Sequence, residues 1–188
     1  MKNHLSHDQG RLLLALARTT LKHHLVGGDA PQPPDDPDLL SLAATFVTLK
    51  IAGNLRGCIG NLQPVGTLWE GIRDNAINAA FHDHRFSAIT MEELEKVHLD
   101  ISILSPPQRL AYIDPEALLA QLRPGIDGVI IRDGSHSATF LPQVWQQLPD
   151  SQQFLGHLCL KAGLSERAWR DKKLEIQVYQ VQCFAEEQ

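Results

Sequence analysis

Residues 45–51 and 55–60 are two runs of β-branched and apolar residues on either side of Ala52-Gly53-Asn54. So short a link between β-prone segments commits this stretch to an antiparallel hairpin. Glycine and asparagine in the link accept the positive φ that such a turn needs. Reading Ala52-Gly53-Asn54 as a three-residue loop pairs Ile51 with Leu55, Thr48 with Cys58 and Val47 with Ile59. The two faces then separate. Val47, Leu49, Ile51, Leu55 and Ile59 form a side suited to a core, and Phe46, Thr48, Lys50, Arg56 and Cys58 lie opposite. A two-residue turn mixes these sets, so the longer loop is preferred.

Around the hairpin the chain alternates helical and strand patterns without regular βαβ order. Ser6-His7-Asp8-Gln9 reads as a capping box opening a helix over 8–25, stopped by Gly27-Gly28. The Pro/Asp-rich stretch 29–37 is a surface loop. Thr67-Leu68-Trp69-Glu70 caps a second helix with an apolar stripe at Leu68, Ile72, Ala76 and Ala79/Ala80, and a short helix follows over 91–95. Strict alternation over 97–103 predicts a half-buried strand, broken by Ser105-Pro106-Pro107. Beyond it come a short helix from Asp114-Pro115, a hairpin of 129–132 with 137–140, a helix from Pro142, helices over 151–162 and 165–169, and a long β segment over 174–184. The apolar phase of that last segment slips near Val178-Tyr179, predicting a bulge or burial on both faces. The class is α+β with antiparallel sheet.

At 188 residues the chain holds one full core, or one core with a smaller lobe. The balance of 17 basic against 22 acidic side chains, net −5, lacks the footprint of a nucleic-acid binder. No apolar run approaches the roughly 20 residues of a membrane span. Met1-Lys2-Asn3-His4 leads into an amphipathic pattern rather than a signal-peptide core, so a cytoplasmic address is expected. Cys58, Cys159 and Cys183 are odd in number and widely spaced, which argues against disulfides and against a zinc site; Cys159 and Cys183 read as packing residues.

The segment Leu55-Arg56-Gly57-Cys58-Ile59-Gly60 carries the densest chemistry. In a strand, Arg56 and Cys58 share a face about 7 Å apart along the backbone, and a fixed cation favours a thiolate. Lys50, across the hairpin, adds to that potential. Gly57 and Gly60 remove side chains that would keep a ligand away from the strand. Two readings stay open: Cys58 as a nucleophile, or Cys58 as a small core residue with glycines that serve packing. Asp83 and Arg85 are candidates for catalysis and binding, or pair with each other or the main chain. Asp100, on the polar face of its strand, is a candidate general base. His82 and His84, at i and i+2, make a solvated helix end rather than a metal site. No phosphate loop, dinucleotide fingerprint or Ser-His-Asp order is present, so no cofactor is expected.

The hexapeptide 55–60 resembles the hallmark segment of the AMMECR family, the A component of AmmeMemoRadiSam systems. The resemblance runs through Phe46-Val47-Thr48-Leu49, Pro64, Ala79-Ala80-Phe81, Asp83 with Arg85-Phe86, Glu93-Leu94, Ile101-Ser102-Ile103-Leu104, Gly128, Leu141-Pro142-Gln143-Val144 and Lys161-Ala162-Gly163-Leu164. The chain departs from it in the polar tip at 133–139 and in its N-terminal loop. The resemblance implies a larger α+β subdomain (1–106 with 171–188) and a smaller one (107–170). Each would have an antiparallel sheet flanked by helices, and the hexapeptide would face a cleft between them. It also implies work alongside a radical-SAM protein and a Memo-type protein in a modification pathway, as an enzyme or as a binding adaptor.

Overall fold

A computed structural model describes residues 4–186; the remaining positions, including the Met1–Asn3 segment of the signal-peptide argument, lie outside the described residues. In chain order the elements are α1 (His7–Val26), β1 (Ala44–Ile51), β2 (Asn54–Gly60), α2 (Leu68–Phe81), α3 (Met91–Leu94), β3 (Val97–Leu104), β4 (Gln108–Arg109), α4 (Pro115–Gln121), β5 (Gly128–Asp133) and β6 (His136–Phe140). A 3-10 turn at Pro142–Gln146 follows, then α5 (Ser151–Lys161), α6 (Ala168–Asp171), β7 (Glu175–Tyr179) and β8 (Val181–Ala185). The capping boxes read at Ser6 and Thr67 are both formed. No described helix is long and apolar enough to cross a membrane.

The chain divides into two units, 1–106 with 182–188, and 107–181. In the larger unit the antiparallel strands run in the order β2-β1-β3-β8, so β2 and β8 are edges. Helix α2 packs on β1 and β2, and α1 on α2 and β3. The core beneath them joins Leu13, Ala17, Leu21, Val47, Leu49, Ile72, Ala76, Leu99 and Ile101, each fully buried. The smaller unit has the order β4-β7-β5-β6 and its own core around Phe154, Leu118, Val129, Ile131, Leu155 and Leu158. Trp145 stacks on Phe154 there at 3.6 Å between ring centroids. The class is therefore α+β with two antiparallel sheets.

Three expectations change. The return to the larger unit, expected at 171, comes at 182, because β7 pairs with β5 and β4 and belongs to the smaller sheet. The phase slip near Val178-Tyr179 is no bulge: the chain leaves one sheet at Tyr179 and enters the other at Val181. The other reading, burial on both faces, is what the end of β7 shows: Val178 packs against the smaller core, and Tyr179, next to it on the opposite face, is buried.

The third change is at the hairpin. Ile51 pairs with Asn54 and Lys50 with Leu55, so the turn is the two residues Ala52-Gly53, at φ 50° and 79°. Positive φ at both central residues gives the twist that suits adjacent strands. The phase cost anticipated for this turn is removed by a bulge. Leu49 pairs with Gly57, leaving Arg56 as an extra residue, and the register Thr48–Cys58 and Val47–Ile59 is as expected from there on. Leu55, expected in the core, is instead exposed at 43%.

Candidate functional site

Cys58 stands on edge strand β2 beside Thr48 of β1, and the next residue in that row is Asp100 of β3. The Thr48 hydroxyl donates to Cys58 Sγ at 3.1 Å. Cys58 as a residue is half-buried and does not belong to the fully buried core. The backbone of Cys58 is turned outward from the sheet. Its N–H donates to Asp83 Oδ2 at 2.9 Å, and its carbonyl accepts from Arg85 Nη2 at 3.1 Å. A strand residue with both groups outward forms a non-hydrogen-bonded pair with its neighbour, the closer kind, which fits the Thr48–Cys58 contact.

Asp83 and Arg85 act as one device. Arg85 Nε and Nη2 grip the two carboxylate oxygens at 2.9 and 2.6 Å, and the Arg85 N–H adds a bond at 3.2 Å. The Asp83 side chain is only 4% exposed, whereas that of Arg85 is 55% exposed. The guanidinium beside it, helped by the Cys58 and Arg85 N–H groups, holds the Asp83 carboxyl well below the usual carboxylate range despite burial, and Asp83 raises Arg85 in return. The pairing with each other and with the main chain that the sequence suggested is formed.

Arg56, expected to poise the thiol, points elsewhere. As the bulge residue it meets Glu93 in a bidentate pair at 2.9 and 3.0 Å and donates to the Ser87 carbonyl at 2.9 Å. The Arg56 hydrogen bonds are the main cause lowering the Glu93 carboxyl. Arg56 and Arg85 both lie against the Phe86 ring, at 5.8 and 5.4 Å from its centroid. Lys50 is paired with Asp100, so that carboxylate is engaged and sits two strands from the sulfur.

The glycines also differ from expectation. A Cβ on Gly57 would lie 2.1 Å from the Ala79 carbonyl oxygen, and one on Gly60 would lie 2.2 Å from the Phe46 ring. Their missing side chains admit helix α2 and an aromatic ring rather than a ligand. His82 caps α2 with Nδ1 3.0 Å from Asn78 Oδ1, and His84 is exposed; no cluster of three or more metal-type side chains occurs among the described residues. Cys159 is buried, and burial pushes its thiol up, but Cys183 is exposed and contacts Ser102 rather than packing. Sequence reasoning missed Glu93 and Ser87 as neighbours of the strand, and it paired Thr48 with Cys58 without giving the hydroxyl to the sulfur. For Glu93 a signal existed: Thr90 three residues before it opens a capping box, and the same carboxylate that meets Arg56 accepts the Thr90 N–H at 3.1 Å.

These features define a class: a two-unit α+β protein whose larger sheet ends in an edge strand fixed by charged side chains around a half-buried cysteine. The AMMECR1 family model matches residues 14–184, and the chain belongs to that family. A protein of Methanothermobacter thermautotrophicus is 38% identical over 186 residues, covering 97% of each chain. Protein NEQ441 of Nanoarchaeum equitans is 36% identical over 178 residues, covering 93% of this chain and 99% of its own. The crystal structure of the uncharacterized protein PH0010 from Pyrococcus horikoshii superimposes with a TM-score of 0.85 at 32% identity, covering 97% of this chain and 94% of that one.

Proposed function

We propose that this protein is a binding module of a cytoplasmic modification pathway, working with a radical-SAM protein and a Memo-type protein. In this reading the Cys58 face of the larger unit's sheet, with Phe46, Thr48, Lys50, Asp100 and Ser102, holds a protein or small-molecule substrate. The observation that carries it is the pairing of the cations. Arg56, Arg85 and Lys50 each have a carboxylate of their own in Glu93, Asp83 and Asp100. Charges compensated in this way stiffen a surface but add little net field at the sulfur. A nucleophile activated by electrostatics alone needs that field, and a recognition surface does not.

One contact favours a second reading, with Cys58 as nucleophile or covalent carrier: the Thr48 hydroxyl at 3.1 Å donates to the sulfur, as a charged sulfur requires. Reconstitution separates the two. The protein is mixed with radical-SAM and Memo-type proteins and their substrates, binding is followed by calorimetry, and the intact mass is recorded. The binding reading expects complex formation that is lost in Ser102→Arg and no mass added at Cys58. A substrate-dependent adduct on Cys58 replaces it with the nucleophile reading, and no association with either protein sinks the pathway.

A further inference from the structure

At the edge of the larger sheet opposite β2, a cleft of about 460 Å³ opens between helix α1 and strand β8. Its helix side is one stripe of α1, because His7, Arg11, Leu14, Ala15 and Arg18 recur at three- and four-residue spacing. Its strand side is 183–186. Phe184 comes close in at Gly10, where a Cβ would lie 2.1 Å from the ring. Glycine is unfavourable inside a helix, and here it seats the aromatic ring against α1. That ring, with Leu14, Ala15 and Ala185, makes the lining apolar, and the two alanines leave room that larger side chains would fill. A concavity of this size, apolar with a few polar groups, has the form of a small-molecule site.

The charges of the cleft select the ligand. The Arg18 guanidinium is committed to the Leu94 and Val97 carbonyls and to Glu186, whose carboxylate also accepts the Leu99 N–H at 2.9 Å. That pair cancels. Arg11 meets Asp8, which is not part of the lining, and the two side chains are 66% and 79% exposed. A surface pair of this kind contributes little and exchanges readily for another anion. The lining therefore sets two arginines against one carboxylate, with His7 one turn before Arg11 on the same stripe. We infer that this cleft binds a small amphiphilic carboxylate, its hydrocarbon tail against Leu14, Phe184 and Ala185 and its head on Arg11. The planar fork of a guanidinium matches a carboxylate through two parallel hydrogen bonds. Nothing here involves Cys58 or its neighbours, so the inference goes beyond the binding reading and does not depend on it.

The test is made on the full chain with decanoate as the probe, kept below the concentration at which it forms micelles. Titration calorimetry is expected to show saturable binding. Arg11→Ala, at an exposed position, should weaken it about tenfold, the loss of one charge-assisted contact. Decyltrimethylammonium, with the same tail and the opposite charge, should not bind at the same concentrations. Ala15→Phe, also at an exposed position, fills the cleft and should abolish binding while the circular dichroism stays that of the parent. The place is read independently at Cys183, which is exposed and lines the cleft. Decanoate should slow its alkylation by iodoacetamide several-fold and leave that of Cys58 unchanged. Absence of saturable binding overturns the inference, as does binding that survives Ala15→Phe, binding that decyltrimethylammonium matches, or an unchanged rate at Cys183 under saturating decanoate. Should Ala15→Phe not fold, Arg11→Ala decides, and an affinity equal to the parent's overturns the inference.

Discussion

The β1–β2 hairpin of the larger unit and the β5–β6 hairpin of the smaller one both turn on two residues, and both leave their second strand at a sheet edge. They diverge beyond the turn. β5 and β6 pair in unbroken register from Asp133–His136 to Val129–Phe140, and the contacts made to β6 by the end of α5 are modest: Lys161 Nζ on the Thr139 carbonyl and His136 Nδ1 on the Ala162 carbonyl, each at 3.0 Å. β1 and β2 carry a bulge, a glycine pressed against a helix carbonyl, and a carboxylate that is almost wholly buried. A buried carboxylate is costly to place unless its partners satisfy it. Here the partners include the peptide of Cys58, so the charges concentrate where one residue's position is being fixed. In the regular hairpin the acid Asp133 meets Lys172 with both side chains well open to water, and it fixes no neighbouring peptide in the same way.

The comparison breaks most readily at Gly57. Alanine there puts a carbon 2.1 Å from a backbone oxygen of α2, and neither the helix nor the strand has a flexible side chain to move aside. Overpacking of this kind costs typically up to about 3 kcal/mol, and a backbone obstruction belongs at the upper end. Urea unfolding of Gly57→Ala should therefore show a large fall in midpoint at unchanged slope. A loss below about 1 kcal/mol would mean that α2 slides freely on β2, and the hairpins would then differ less than their geometry says.

How much of this was legible follows the physics of each signal. The helix starts at Ser6 and Thr67 and the Thr48–Cys58 register are local, set by capping boxes and by alternation, and they can be read from the residues alone. The turn could not be read correctly because a bulge repairs the phase that a two-residue turn disturbs, and nothing in Leu55-Arg56-Gly57 announces an extra residue. The slip at Val178-Tyr179 was visible, and of its two readings burial on both faces holds, while the change of sheet that follows leaves no trace of its own in one strand. The cysteine and its charged neighbours were found, and Asp83 was among the partners offered for Arg85, while Glu93 for Arg56 and Asp100 for Lys50 were not. Arg56 finds Glu93 thirty-seven residues away, a pairing that depends on where α3 lands against β2. Spacing along the hexapeptide made Arg56 look like the thiol's companion, and the bulge turned it aside.

A smaller effect is expected at Arg85. Removing it strips the counter-ion from Asp83, which in a fully buried pair costs about 3–5 kcal/mol; because Arg85 is half exposed, about 2 kcal/mol is the better expectation. Lys161→Ala, which removes the corresponding contact to the other hairpin, should stay within about 0.5 kcal/mol. The acid response sharpens the contrast. The folded Asp83 carboxyl lies below its unfolded value near 4, so the unfolded chain binds more protons and stability rises with pH there. The contribution is complete above that unfolded value and is lost as the pH falls through the folded one. Asp83→Asn should therefore flatten the acid limb of the stability profile, measured by urea midpoints from pH 7 downward to about 3.

The smallest effects lie in the turns themselves, where the hairpins are most alike. Gly134 sits at φ 59° with nothing within 4 Å of the place that an alanine methyl would take, so alanine there meets no clash and bears only the strain of the left-handed backbone, about 1 kcal/mol. Ala52 already holds φ 50° in the other turn, so Ala52→Gly removes the same strain. Part of that gain is offset by the greater freedom of glycine in the unfolded chain. Thermal denaturation of the two variants should thus move in opposite directions, Gly134→Ala down and Ala52→Gly level or up by roughly a few tenths of a kcal/mol. If Ala52→Gly destabilises as much as Gly134→Ala, the alanine methyl is making contacts that its exposed position does not reveal. The bulge at Arg56 would then depend on the turn residue as well as on the clamp at Cys58.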